Sequence, residues 1–298
     1  MPRRPDLFIV GAPKCGTTAM TRYLEAHPEV FVAARKDLHH FGSDLAFRNR
    51  PREPYTAYLE RFAGAGDSRW ACDSSVWYLF SSRAADEMQA ASPGARIIAM
   101  IRHPVDAMHA LWSQLRLNGL GDEDIADFAE ALAAEPDRLA GRRIPPETPL
   151  PSALHYREVV SFSGQLQRYI DTFGPDQVRI IVQEEMKADT PSTMHDIYSW
   201  LGVETDVPSD LRKVNTSKAV RYEGLRRVLR ATPGGLKDAV PAGLRRAVSR
   251  RIRNLNSKHA ARPPLDPSLR ARLSAEFAPE VARIESVLGR SVAAWHET

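Results

Sequence analysis

Close to the N-terminus a continuous apolar run, Leu7-Phe8-Ile9-Val10, ends at Gly11, and from Thr17 the apolar residues Met20, Tyr23 and Leu24 recur at helical spacing. An uninterrupted apolar run is what a strand covered on both faces requires, whereas a half-exposed strand would alternate. His27-Pro28 closes the helix. The unit is strand, glycine-containing loop, helix.

The same alternation continues. Trp70-Ala71-Cys72-Asp73 reads as a second strand, with a helix from about Ser82 to Ala91 stopped by Pro93-Gly94. Arg96 to Ile101 reads as a third strand leading to Arg102, and beyond Pro104 the residues Val105, Met108, Leu111, Trp112 and Leu115 mark a helix. Val159 to Phe173 reads as a helix and Val178 to Val182 as a strand. Thr190-Pro191 has the form of an N-cap with proline at the first helical position, and Gly202 closes that helix. Asp266-Pro267 opens a last helix that stops near Gly289. Strands alternating with helices predict an α/β fold, a P-loop-like parallel sheet flanked by helices on both faces. We expect one domain over residues 1–298, with a basic helical insertion or lid at about 218–262 and the C-terminal helix at about 266–289.

A hydrophobic fraction of 43% with 26% charged residues excludes a wholly disordered chain and a multi-pass membrane protein. No stretch approaches the ~18 apolar residues of a spanning helix, and Met1 to Leu7 holds no signal-peptide core, so the expected location is the cytoplasm. The two cysteines, Cys15 and Cys72, are expected to be free thiols in a reducing compartment.

The loop Gly11-Ala12-Pro13-Lys14-Cys15-Gly16-Thr17-Thr18 has the context in which backbone N–H groups and a helix N-terminus hold phosphate. A nucleoside triphosphatase places lysine directly after the second glycine, where it reaches the β- and γ-phosphates. Here Thr17 stands at that position and Lys14 lies inside the loop. Such a loop suits a mixed phosphate–sulfate anhydride better than a triphosphate.

Pro13 to Thr18 resembles the 5′-phosphosulfate loop, P-[KR]-[SC]-G-[ST]-[ST], of sulfotransferases that use 3′-phosphoadenosine-5′-phosphosulfate (PAPS). The resemblance implies PAPS as co-substrate. It also implies that Lys14 contacts the bridging and sulfuryl oxygens, and that Cys15, Gly16, Thr17 and Thr18 cradle the 5′-phosphate. Ile101-Arg102-His103-Pro104-Val105-Asp106 is similar to the start of the family's 3′-phosphate motif, with Arg102 at a strand end. The family's serine position is Ala110 here, and Ser113 is the candidate to supply that hydroxyl. Lys213 to Lys218 with Arg221 resembles the basic loop that closes over the nucleotide, which makes Lys218 and Arg221 candidate contacts.

An acceptor hydroxyl loses a proton as sulfur is attacked, so a base must lie nearby. Lys36-Asp37-Leu38-His39-His40-Phe41 resembles the K-E-x-H-F-F element of the heparan-sulfate-type branch, whose glutamate is the base. Asp37 stands at that position, His39 matches the family histidine and His40 replaces an aromatic, so the resemblance implies as base either Asp37 or a histidine, chiefly His39, and implies His39 on the acceptor side as well. Asp73 to Tyr78 resembles the family's E-x-S-P-x-Y segment, which implies Asp73 and Trp77 on the acceptor side; a helix cap or solvated strand end is the other reading of Asp73. No H-E-x-x-H or paired CxxC occurs, so no metal is expected.

The net charge of +4 conceals an asymmetry: Lys218 to Arg262 carries 13 Lys/Arg against two acids, Glu223 and Asp238, a net +11 that leaves −7 elsewhere. Leu225, Val228, Leu229, Leu244, Val248, Ile252 and Leu255 recur there at helical spacings between arginines. Two amphipathic helices are expected, packed on the body or facing an anionic acceptor or an anionic membrane surface. No base-reading motif accompanies them, so no nucleic-acid partner is expected. The implied activity is sulfuryl transfer to a hydroxyl or amine of a carbohydrate, lipid-linked or secondary-metabolite acceptor. Rival classes are a P-loop kinase or NTPase and a nucleotide-binding module without catalysis. The acceptor and the oligomeric state are not legible in these residues.

Overall fold

The computed structural model describes residues 3–48, 50–117, 122–206 and 264–296, and strands 218–220 and 257–259 by their backbone alone. The chain forms two compact units, one from residues 1–108, 157–214 and 272–298 and the other from residues 109–156 and 215–271.

The first unit holds a five-stranded sheet of β1 (Leu7–Gly11), β2 (Val30–Val32), β3 (Trp70–Ser74), β4 (Arg96–Ile101) and β5 (Val178–Val182). Its order is β2-β3-β1-β4-β5, and all pairings are parallel. Every residue of β1 is buried, as its uninterrupted apolar sequence requires for a central strand. Because the chain moves from β1 to β2 and β3 on one side, then crosses to β4 and β5 on the other, the connections diverge at the C-terminal end of β1. That switch point is where an open parallel sheet leaves a crevice for ligands. The loops after all five strands lie along this one edge.

The helix Thr17–Glu25 follows β1 directly, and Pro104–Leu117 follows β4. The predicted strands 96–101 and 178–182 match β4 and β5 residue for residue. The helix expected from Val159 begins at Phe162, after a separate turn of helix at Tyr156–Val159. The helix Thr190–Leu201 is capped by Asp189, whose side chain accepts from the Ser192 amide, rather than by Thr190. A carboxylate one residue earlier reaches the free amides at the helix start better than the Thr190 hydroxyl, which bonds back to the Met186 carbonyl at 2.7 Å. Asp266 caps the last helix, Pro267–Leu288, through the Leu269 amide at 2.9 Å. No helix among the described residues is long and apolar enough to cross a membrane.

In the second unit, Glu123 and Arg138 are completely buried and joined by two 2.8 Å bonds, and the Tyr156 hydroxyl donates to the same carboxylate at 2.5 Å. A buried ion pair of this kind is tolerable because the two charges meet in paired hydrogen bonds and the carboxylate takes a third from Tyr156. β6 (Lys218–Val220) and β7 (Ser257–His259) pair antiparallel in this unit, which the expectation of helices from residue 218 did not include. The rest of the basic segment, with its two expected helices, lies outside the described residues, as does Arg221.

Candidate functional site

The phosphate loop is shaped by its backbone. Gly16, at φ 93°, is the N-cap of the helix Thr17–Glu25, and no side chain caps that helix. The first bonds back to the Gly16 carbonyl come from Ala19 at 2.9 Å and Met20 at 3.3 Å, so the amides of Thr17 and Thr18 belong to the helix end that offers donors to an anion. A side chain at Gly16 would be strained at that φ, and its Cβ would press on Gln183, Met186 and Met100 at 3.2–3.3 Å. Lys14 is half-buried with a left-handed φ of 66°.

Arg102 leaves the end of β4, the strand beside β1. Its guanidinium lies 3.6 Å from Glu184 and 3.9 Å from Asp106, and Nε has no hydrogen-bond partner. Glu184, just beyond β5, also accepts from the His103 amide at 3.3 Å and from the Trp295 indole at 3.2 Å, which fixes it behind Arg102. Sequence reasoning missed Glu184, although its position two residues past the strand Val178–Val182 was a signal, since strand ends in this sheet carry the candidate site. Burial pushes the Cys15 thiol well up, while the charges of Arg102 and Lys14 both act to lower it, so these two cations flank the loop together.

A second cluster adjoins the first through the turn after β3. The Ser75 amide donates to the Ile9 carbonyl at 3.0 Å and the Leu79 amide to Val10 at 2.7 Å. The loop after β2 closes on this turn: the Asp37 amide donates to the Ser74 carbonyl at 2.8 Å, and the Val76 amide donates to the Asp37 carboxylate at 3.3 Å. Lys36 Nζ reaches the same carboxylate oxygen at 3.0 Å, and that side chain is 40% exposed. Arg50, also missed from sequence, donates to the carbonyls of Asp37 and Leu38 at 2.5 and 2.9 Å. It holds Asp37 (φ 62°) and His39 (φ 49°) in left-handed conformations.

Among the described residues, the non-glycine residues with positive φ are Lys14, Asp37, His39 and Arg143, and three of these four carry the candidate chemistry. Such conformations cost energy and persist where surrounding contacts impose them, commonly at functional sites.

The model for the sulfotransferase domain matches residues 4–223. The chain belongs to the sulfotransferase family. Its fold is similar to that of a crystallised sulfotransferase from Alicyclobacillus acidocaldarius, with a TM-score of 0.74 and 28% identity over 99% of this chain and 100% of that one. Human bifunctional heparan sulfate N-deacetylase/N-sulfotransferase 3 is 23% identical over 98% of this chain, and human carbohydrate sulfotransferase 15 is 24% identical over 67% of it. The chain spans only 31% and 44% of the length of those two relatives.

Two placements in the sulfotransferase domain differ from the sequence reading. The Asp73 side chain is completely buried and accepts from Ser75, Tyr78 and Tyr58 hydroxyls, so it neither caps a helix nor faces an acceptor. Both faces of β3 are covered at this end, where Ala71 to Ser74 are all buried, and that puts it inside. The Cys15 thiol is likewise sealed and directed at the Pro13 carbonyl at 3.5 Å, and its amide bonds to Ala12 at 3.2 Å, so Cys15 shapes the loop from behind. Trp77 is half-buried beside the Phe80 ring at 6.1 Å. Ala110 is completely buried, while Ser113 is half-buried on the same helix, two turns beyond Asp106, in the second unit. Nothing is described of the Lys218 side chain.

Burial lowers the His39 and His40 imidazoles to about 3 and about 4, and raises the Asp73 carboxyl to about 6 against the opposing pull of its three hydrogen bonds. The unfolded chain protonates its imidazoles near pH ~6.5, whereas the folded chain resists until far lower pH, so acid favours the unfolded state. Asp73 acts in the opposite sense between about pH 6 and its ordinary value, and offsets part of the loss. The melting temperature should therefore fall as pH drops from about 6.5 toward 4, and replacing both histidines with glutamine should flatten that slope. An equal slope in the double variant would mean that neither imidazole is held neutral by burial.

Proposed function

We propose that this sulfotransferase domain transfers the sulfuryl group of PAPS to a hydroxyl or amine of a small-molecule, glycan or lipid-linked acceptor. The observation that carries the reading is the pairing of an uncapped helix start at Gly16-Thr17, behind left-handed Lys14, with Arg102 at the end of the adjacent strand. Two cationic centres at neighbouring strand ends fit a nucleotide with a 5′-phosphosulfate and a separate 3′-phosphate. The Nε of Arg102, which faces Glu184 at 3.6 Å but makes no hydrogen bond, keeps a donor for the second of these.

In this reading PAPS supplies an activated sulfuryl group, and the chain supplies position and charge. The amides of Thr17 and Thr18 and the helix dipole hold the 5′-phosphate. Lys14 stabilises negative charge that grows on the bridging oxygen. Asp37, exposed on one side and anchored by Val76 and Lys36 on the other, accepts the acceptor's proton. His39, stacked on Phe47 at 4.8 Å and kept neutral by burial, orients the acceptor by hydrogen bonding rather than by storing a proton. Heparan sulfate and carbohydrate in the names of the two human relatives favour a glycan among acceptor classes.

Adenosine 3′,5′-bisphosphate should raise the melting temperature, because it binds the folded chain alone; at a hundredfold excess over Kd the gain is about 2.7 kcal/mol. ATP lacks a 3′-phosphate for Arg102, and the loop lacks the lysine that grips a γ-phosphate, so its effect should be much smaller. Equal shifts with both nucleotides would sink the reading and revive a nucleoside-triphosphate enzyme.

A further inference from the structure

The most tightly closed polar group in the first unit stands behind the Asp37–His39 loop. Asp73, Ser75, Tyr58 and Tyr78 all have zero exposure. An ionised carboxylate only accepts hydrogen bonds, so each hydroxyl around it must spend its single proton there. Ser75 Oγ donates to Oδ1 at 2.8 Å, and Tyr78 and Tyr58 hydroxyls donate to Oδ2 at 2.8 and 2.9 Å. The lone pairs of two of these oxygens are then turned to the loop. Ser75 Oγ accepts from the His39 amide at 3.1 Å, and the Tyr78 oxygen accepts from the amides of His40 at 2.9 Å and Phe41 at 3.4 Å. Three consecutive backbone amides thus end, through two hydroxyls, on one carboxylate, and each bond in such a chain polarises the next. Tyr58 completes the carboxylate's shell without touching a loop amide.

We propose that Asp73 is a positioning residue for sulfuryl transfer, which through Ser75 and Tyr78 holds the Asp37–His39 turn in the left-handed geometry that presents the Asp37 carboxylate. This rests on Asp37 as the base. Arg50 anchors the carbonyl side of the same turn and the Asp73 relay anchors its amide side. A neutral Asp73 would donate one proton itself, and one hydroxyl would have to turn away from its present role. The titratable groups facing it are Tyr58, Tyr78, Cys72 and Asp37, with His40 stacked on Tyr58 at 4.2 Å. Burial pushes the two tyrosines and the thiol upward and His40 down to about 4, which leaves Asp73 to change charge in mild acid.

Three variants separate positioning from mere packing, because each removes one hydroxyl from Asp73. Ser75→Ala and Tyr78→Phe also remove an acceptor from the loop, whereas Tyr58→Phe does not. Amide hydrogen exchange should accelerate about tenfold at His39 in Ser75→Ala and at His40 and Phe41 in Tyr78→Phe, and stay unchanged there in Tyr58→Phe. With radiolabelled PAPS, kcat should fall about 10- to 10²-fold in the first two with the KM for PAPS unchanged, and remain within about twofold in Tyr58→Phe. Either of the first two suffices if the other fails to fold. Equal effects in all three variants, or faster exchange with unaltered kcat while Asp37→Asn is inactive, would overturn the proposal. An active Asp37→Asn would remove the base assignment and this proposal with it, whereas the exchange pattern can fail while Asp37→Asn remains inactive.

Discussion

Asp37→Asn should lower turnover by about 10²–10⁴-fold while leaving the affinity for adenosine 3′,5′-bisphosphate near its wild-type value. The amide is nearly isosteric with the carboxylate, and its oxygen can still accept from the Val76 amide and from Lys36 Nζ, the two contacts that place Asp37. Asparagine also tolerates the left-handed backbone found here at φ 62°. What it loses is the capacity to take the acceptor's proton. Single-turnover measurements with saturating PAPS isolate this step from binding. The companion variant is His39→Ala, which should raise the acceptor KM more than it lowers kcat, because a half-buried imidazole held neutral down to about pH 3 is a poor proton store at neutral pH. An active Asp37→Asn with an inactive His39→Ala would reverse these roles.

Lys14→Ala should cost about 10²–10³-fold in kcat and much less in nucleotide affinity. Charge on the departing bridging oxygen develops during transfer, so a fixed ammonium beside it contributes more to the transition state than to the bound ground state. Lysine and alanine both carry a Cβ, so the strain of the left-handed φ of 66° is common to both, and the helix start at Gly16-Thr17 remains to hold the phosphate. Lys14→Arg would restore charge at a different length and should recover only part of the rate. Retention of more than half the wild-type turnover in Lys14→Ala at saturating PAPS would remove this residue from the mechanism.

Much of the fold was legible because its signals are local. The uninterrupted apolar run Leu7 to Val10, cut off by Gly11 and followed by a helical pattern, reads as a covered strand, and prolines and glycines at residues 28, 93, 94 and 202 end elements for reasons internal to a few bonds. The phosphate loop was legible for the same reason, since glycine at a left-handed helix cap and lysine within the loop are adjacent in sequence. The short edge strand Val30–Val32 was not, because three residues carry no periodicity and form a strand only against β3. The Asp189 cap differed from the expected Thr190 by one residue, where several polar side chains compete for the same amides.

The candidate site divides along the same line. Composition and spacing determined the α/β class, the main alternation of strands and helices and the glycine-containing loop that carries Lys14, because each depends on neighbours within about one helical turn or one strand. Only the tertiary structure decided that Asp73 lies inside rather than on the acceptor side, that the Cys15 thiol backs the loop, and that Glu184 and Arg50 brace Arg102 and the Asp37 turn. The braces by Arg50 and Glu184 join residues 12 to 82 positions apart, and the burial of Asp73 and Cys15 depends on what packs over them at one edge of a parallel sheet. Whether a carboxylate is solvated, paired or sealed among hydroxyls is set by what packs over it, and that is a property of the assembled fold rather than of any stretch of chain.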